Sequence, residues 1–231
     1  MKLALGLLAV VAAGAAELTV AQRNDACYAL RGQRSAEIVA EMRRAIADPV
    51  VRSCSARNLR EAGAVEALVD ALETGAPDTR VAAAHELAAM RDARALEALG
   101  RAAMDPNALV AASAIAALGD YESGAALPYL LKAAALPTVA GMTALEQAAR
   151  RHDAAVLPVA RSVLSRGDVA EQVVALGIIA DLGDASDLPA LREMEKHSEP
   201  VSVRGRGFGF MPAIDLARAA RTAIERIGQR K

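Results

Sequence analysis

Few residues in this 231-residue chain carry reactive chemistry. Its two cysteines, Cys27 and Cys54, stand 27 positions apart, and no CxxC occurs, so neither a redox dithiol nor a zinc knuckle is formed. Either they bridge or they lie as two buried thiols in neighbouring helices. A bridge over that span would stabilise the fold by about 3.5 kcal/mol by constraining the unfolded chain. One dyad, His85-Glu86, could offer two metal ligands, where a metal site of this kind needs at least three. The remaining histidines, His152 and His197, fall at a turn and a helix end. The chain has no Gly-x-Ser-x-Gly elbow, no phosphate loop and no paired catalytic carboxylates. The expectation is therefore no catalytic residue, no metal and no cofactor. Contact chemistry remains: Tyr121, Tyr129, Phe208 and Phe210, with Arg204 and Arg206, are the residue types that anchor a protein partner, the alternative for either tyrosine being that it fills a groove of the array.

Compartment decides how the cysteines read. Met1-Lys2 is a minimal positive start, and Leu3 to Ala16 is an uncharged, mostly apolar run. Ala13-Gly14-Ala15 fits the small-x-small rule for signal cleavage, and Thr19-Val20-Ala21 is a second candidate. Fourteen residues rise only about 21 Å as a helix, short of the roughly 30 Å hydrocarbon core. The other reading is an uncleaved anchor from Leu3 to Ala21 with Glu17 inside it. Asn24-Asp25-Ala26 before Cys27 lacks the leucine expected of a lipid-attachment site. Residues 1–21 are read as a signal peptide cleaved between about 15 and 21, which places the mature protein in the periplasm or outside the cell. An oxidising compartment favours the Cys27–Cys54 disulfide.

The elements that must position these residues are helices. Alanine supplies 57 residues, against two phenylalanines, three tyrosines and no tryptophan. Alanine is the best helix former, and strand-forming residues are sparse. A net charge of −1 excludes bulk attraction to nucleic acid or an anionic membrane surface. A unit of 28 to 33 residues recurs, with hinges at Ala64, Asp92, Asp120, Asp153 and Asp184. Leu118-Gly119-Asp120 and Leu182-Gly183-Asp184 are its clearest copies. Leu-Pro pairs follow three hinges, at Leu127-Pro128, Leu157-Pro158 and Leu188-Pro189. The units open on Asp48-Pro49-Val50-Val51-Arg52, Asp78-Thr79-Arg80-Val81 and Asp105-Pro106-Asn107. Glycine after an apolar run ends a helix in the left-handed region, the following aspartate caps the next helix, and proline suits a first turn. Each unit is helix, tight turn, helix, loop. Helices are expected over Ser35 to Ala47 and from Pro212 to Ile227, each with one apolar stripe.

The opening Asp-x-x-Val-Arg, the mid-unit Leu-Gly-Asp and the following Ala-Leu-Pro-x-Leu resemble HEAT-like repeats of the phycobilin-lyase type. Arg80-Val81 and Asp120 through Leu130 carry the resemblance best, and it covers roughly residues 48 to 197. It implies an all-α, right-handed α-solenoid of about six to seven helix pairs, with residues 22–47 as an N-terminal helical cap and 48–231 as the array. HEAT arrays act mainly as binding scaffolds, so the resemblance says more about fold than function. Two enzyme classes share the architecture. Deoxyhypusine hydroxylase is similar and holds iron on His-Glu dyads of successive repeats. At the register of His85-Glu86, however, the other units carry Arg57-Asn58, Ser113-Ala114, Glu146-Gln147 and Gly177-Ile178. Bilin lyases attach or detach a bilin inside the cell, which export disfavours.

Polar positions on the second helices run Glu66, Asp70 and Glu73, then Arg94 and Arg101, then Lys132, Arg161 and Arg192. They read as solvated faces, or as an acidic end and a basic middle of one surface. The repeat breaks at a loop insertion, 198–212, which holds both phenylalanines and Arg204 and Arg206. That loop either folds back over the open end of the array or contacts the partner. The function expected is a non-catalytic protein-binding scaffold in the cell envelope, with no nucleic-acid partner and no stable membrane insertion after signal cleavage. The alternatives are an enzyme or enzyme accessory resembling bilin lyases, and a membrane-tethered assembly factor. Mass spectrometry of exported protein should place the mature N-terminus between Ala16 and Gln22; recovery of Met1 would show a retained anchor.

Overall fold

A computed structural model describes residues 18–122, 124–197 and 214–230. Among these residues the regular structure is helical, with thirteen α-helices and no strand. The chain divides into two compact units, Met1–Leu130 and Leu131–Lys231. The signal segment up to residue 17 lies outside the described residues, and no described helix is long and apolar enough to cross a membrane.

The first unit holds α1 (Val20–Ala29), α2 (Ala36–Ala45), α3 (Arg52–Glu61), α4 (Val65–Thr74), α5 (Pro77–Met90), α6 (Leu96–Ala102) and α7 (Ala108–Gly119). Helix α8 (Leu127–Ala134) crosses the boundary, and α9 (Val139–Ala149), α10 (Leu157–Arg166), α11 (Val169–Leu182), α12 (Leu188–His197) and α13 (Leu216–Gln229) follow. They run as consecutive pairs, six pairs and a closing helix among the described residues. In the first unit α1, α3, α5 and α7 pack side by side as one row, and α2, α4 and α6 form the second. In the second unit α9, α11 and α13 make the first row, with α10 against α11 and α12 against α13.

Leucines fill the space between rows while alanines let first-row helices approach. Leu59, Leu68, Leu87, Leu99, Ile115, Leu118 and Leu130 are fully buried in the first unit, as are Ala83, Ala84 and Ala114. Leu145, Ile179, Leu191, Ala220 and Ala223 do the same in the second. The disulfide forms: Cys27 on α1 and Cys54 on α3 are joined with Cα atoms 6.3 Å apart. Beneath it the buried Asn58 amide donates to the Cys27 carbonyl at 3.0 Å.

The opening markers have a second task that spacing alone does not reveal. Asp48 Oδ1 accepts from the Val50 N–H at 2.9 Å, and Asp105 Oδ1 from Asn107 at 2.8 Å, each turning the chain into its helix. The other oxygen of each aspartate takes an arginine from the preceding repeat. Arg23 reaches Asp48 at 2.7 Å, Arg52 reaches Asp78 at 3.3 Å, and Arg80 pairs with Asp105. The Asp-Arg marker is thus two halves of two different bonds, one step of the array apart. In the second unit a different pair links successive second helices, with Arg161 on α10 reaching Asp187, in the turn before α12, at 2.7 Å.

The hinges correct the sequence reading in detail. Gly63 does take a left-handed φ of 74°, but the same task before Asp92 and Asp153 falls to Arg91 and His152, both at φ 51°. Asp92, Asp153 and Asp184 cap short 3-10 turns that lead into the second helix, accepting from Arg94, Ala155 and Ser186 N–H groups. Gly119 lies inside α7 and Asp120 is its C-cap, so this copy of Leu-Gly-Asp does not cap the next helix. Helix α2 starts where expected, on the Ser35 cap. Helix α13 starts at Leu216 rather than Pro212, because Asp215 caps it by accepting from Arg218.

Leu130 has no solvent exposure, so Leu130→Ala should lower stability by about 2–5 kcal/mol in thermal or urea unfolding. Reduction of the disulfide in the folded protein should cost about 2–4 kcal/mol by the same assay. Hydrogen bonding from Arg161 holds the buried Asp187 carboxyl below the ordinary carboxylate range, despite the opposing effect of burial. A depressed carboxylate stabilises above its unfolded pKa, and that stability is lost as pH falls through the folded value. Asp187→Asn should therefore lower Tm at neutral pH and make a progressively smaller difference as pH falls below the ordinary carboxylate range. An equal loss at neutral and at acidic pH would mean that the charge contributes nothing.

Candidate protein-binding groove

In the first unit, α3, α5 and α7 lie parallel, since Arg52 meets Asp78 near the helix starts and Arg60 meets Glu86 further along at 2.5 Å. Their register repeats every 28 residues, so Arg57, His85 and Ser113 stand abreast. Between them runs a groove of about 550 Å³, floored by Ala56, Ala82, Ala88, Ala116 and Ala117 with Val81. Its rim carries Arg57, His85 and Asp120, all exposed. A smaller depression continues it past Ser53 and Arg57 to Tyr28, Arg31 and the Cys54 side of the disulfide. Tyr28 is 57% exposed, and Leu109, at the register of Val81, is 70% exposed.

This groove follows directly from the local sequence. Alanines at repeat-equivalent positions leave no side chain to fill the space between adjacent helices. Long side chains on the same turns stand up as the walls. The disulfide fixes α1 against α3, which brings Tyr28, next to Cys27 in sequence, to the groove's end. Tyr28 was not singled out from sequence; its neighbour Cys27 was the available signal, since a bridge to Cys54 brings Tyr28 to the helix that carries Arg57.

The residues chosen from sequence fare differently. Tyr121 is only 3% exposed, and its hydroxyl donates to the Asp92 carbonyl at 3.0 Å. Burial first, and the negative Asp92 second, push its phenol up to about 12. It fills the repeat interior and ties one hinge to the next, which corrects its reading as a partner anchor. Tyr129 is half-buried, with its ring over Gly100, where a Cβ would collide with it. Arg204, Arg206, Phe208 and Phe210, and with them the loop 198–212, lie outside the described residues.

The charged rows on the second helices do not form separate acidic and basic patches in this unit. Glu66 pairs with Arg94, Glu73 with Arg101, and Asp70 with Arg43 at 3.0 Å. Each acid faces a base one repeat away, so the face is internally neutralised. Asp92 is held at about 2, chiefly by its hydrogen bond from Arg94. The His85-Glu86 dyad is also divided: Glu86 is buried and engaged by Arg60, while His85 is exposed at the groove rim. Among the described residues no three His, Cys, Asp or Glu side chains gather to hold a metal ion. Of the arginine, aspartate and glutamate side chains that line the groove, Arg52, Asp78 and Glu86 are ion-paired, while Arg57 and Asp120 have no ion-pair partner among the described residues.

Two solved structures are similar to this chain. One is a chain of the complex of CpcE and CpcF of phycocyanin lyase from Nostoc sp., at 19% identity and a TM-score of 0.45, covering 98% of this chain and 94% of that one. The other is human deoxyhypusine hydroxylase in complex with glycerol, at 16% identity and a TM-score of 0.41, covering 99% of this chain and 96% of that one. No curated protein matches the chain. Residues 65–150 match the family described as HEAT repeats, and these residues run from α4 through α9. The chain is thus an all-α array of consecutive helix pairs that matches HEAT repeats over residues 65–150, with helix pairs continuing on both sides of that stretch.

Proposed function

We propose that this protein is a non-catalytic binding module of the cell envelope, periplasmic or secreted, which holds a protein partner in the groove of α3, α5 and α7. The observation that carries this reading is the groove itself. It is long and floored by alanine, and the exposed Tyr28 stands at one end. An aromatic side chain beside a small-residue surface is the arrangement that anchors an interface, while surrounding polar side chains exclude water. The Cys27–Cys54 bridge supports an oxidising compartment. Of the two processing sites, the one after Ala15 keeps Thr19 and Gln22, whose side chains form the capping box of α1. Processing after Ala21 would remove that cap.

The test uses a photoreactive phenylalanine analogue placed at Ser113 in the groove, or at the exposed Glu97 on α6, in protein produced in its own cells. Irradiation should give a discrete protein adduct from Ser113 and none from Glu97. Equal labelling at both positions, or a tetrapyrrole or metal co-purifying with no adduct, would overturn the reading.

A further inference from the structure

The groove's two ends carry opposite charges with no ion-pair partner among the described residues. Arg57 is exposed where the groove meets Tyr28 and Arg31, and Asp120 is exposed at the far end of α7. In the same lining, Arg52 answers Asp78 and Glu86 is answered by Arg60, each one repeat away. Glu61, one turn beyond Arg57, is taken by Arg31 at 3.3 Å and by Arg60 at 3.9 Å, which leaves Arg57 without it. Asp120 contributes its backbone N–H to the end of α7, and its carboxylate points to no arginine among the described residues. Between these ends the lining is mostly small, with five alanines, two serines and Val81, and its other acids, Asp78 and Glu86, are already ion-paired.

Two lateral helix steps of 8–10 Å separate α3 from α7, about 20 Å. Asp120 lies seven residues beyond Ser113, the position abreast of Arg57, which adds about 10 Å along the helix. The diagonal is roughly 22 Å, the length of six to seven extended residues at about 3.3 Å each.

From this we propose that the groove takes an extended segment of a partner protein, about seven residues long, with an acidic side chain at one end and a basic side chain at the other. The acidic end lies against Arg57 beside Tyr28, and the basic end against Asp120. Small side chains between them rest on the alanine floor. This rests on the reading of the groove as the partner site and specifies what occupies it.

The test is direction-independent. Fluorescent heptapeptides with small neutral interiors carry acid and base at opposite ends, acid at both ends, or base at both ends. Anisotropy with the full mature chain should show the oppositely ended peptides binding about fivefold or more tighter than either like-ended peptide. High salt should erase the difference. Arg57→Glu should transfer the preference to the peptide basic at both ends, and Asp120→Lys to the peptide acidic at both ends. Both side chains are exposed, and circular dichroism with thermal melting verifies that each variant folds. Equal binding of all peptides, absence of binding, or a preference that neither reversal moves would each overturn the proposal. A protein adduct at Ser113 alongside any of these results would leave the groove as a partner site with a different occupant. Loss of both would remove the site itself.

Discussion

No helix pair in this protein can bury its apolar face alone; each is completed by the next. That constraint governs the rest of the structure. It requires first-row helices to lie close, which alanine permits and larger side chains would prevent. It also requires a fixed register from one pair to the next, because a sliding interface would misplace every leucine between the rows. The register is set by directional bonds: arginines from one unit reaching an aspartate at the opening of the next, at Arg23–Asp48, Arg52–Asp78 and Arg80–Asp105. Asp48 and Asp105 also turn the chain into the helix, so one carboxylate joins local folding to stacking. The Arg23–Asp48 and Arg80–Asp105 pairs are partly buried, where Arg–carboxylate geometry is worth more than on an open surface.

The N-terminal pair solves the end problem differently. It lacks a preceding neighbour among the described residues, and α1 is short, with only Ala26 and Cys27 buried along it. Non-covalent contact on that scale is a weak tether. The disulfide to α3 supplies what packing does not, and the Asn58 amide below it closes the Cys27 carbonyl. Covalent attachment of the first helix has a functional consequence, because it holds the exposed Tyr28 rigidly at the mouth of the groove. An aromatic anchor on a fixed helix loses less conformational entropy on binding than one on a loop.

The same economy of pairing makes the groove legible. Where acids face bases one step away, the surface is electrically quiet, and unpaired charges at the ends of a groove carry information. The second-helix rows illustrate the rule: Glu66, Asp70 and Glu73 are answered by Arg94, Arg43 and Arg101. Arg57 and Asp120 illustrate the exception. A pair of unanswered opposite charges flanking an apolar floor selects a ligand by length as well as by charge.

Much of the architecture was readable in the chain. Alanine content, the 28 to 33 residue period, and the Leu-Pro and Asp-Arg markers led to helix pairs, and residues 65–150 match HEAT repeats. Helix type and pairing are local consequences of propensity, capping and periodicity, so sequence suffices for them. Which side chains remain available is different, because it depends on partners one repeat away. Tyr121 and Tyr28 are both tyrosines near a turn; only the packing put one in the core against Asp92 and left the other at the surface. The Asp-Arg marker looked like a unit within one repeat and proved to be two bonds between repeats. Residue types and period set which helices form; the stacking of one pair on the next decided which charges were satisfied, and so where a partner can bind.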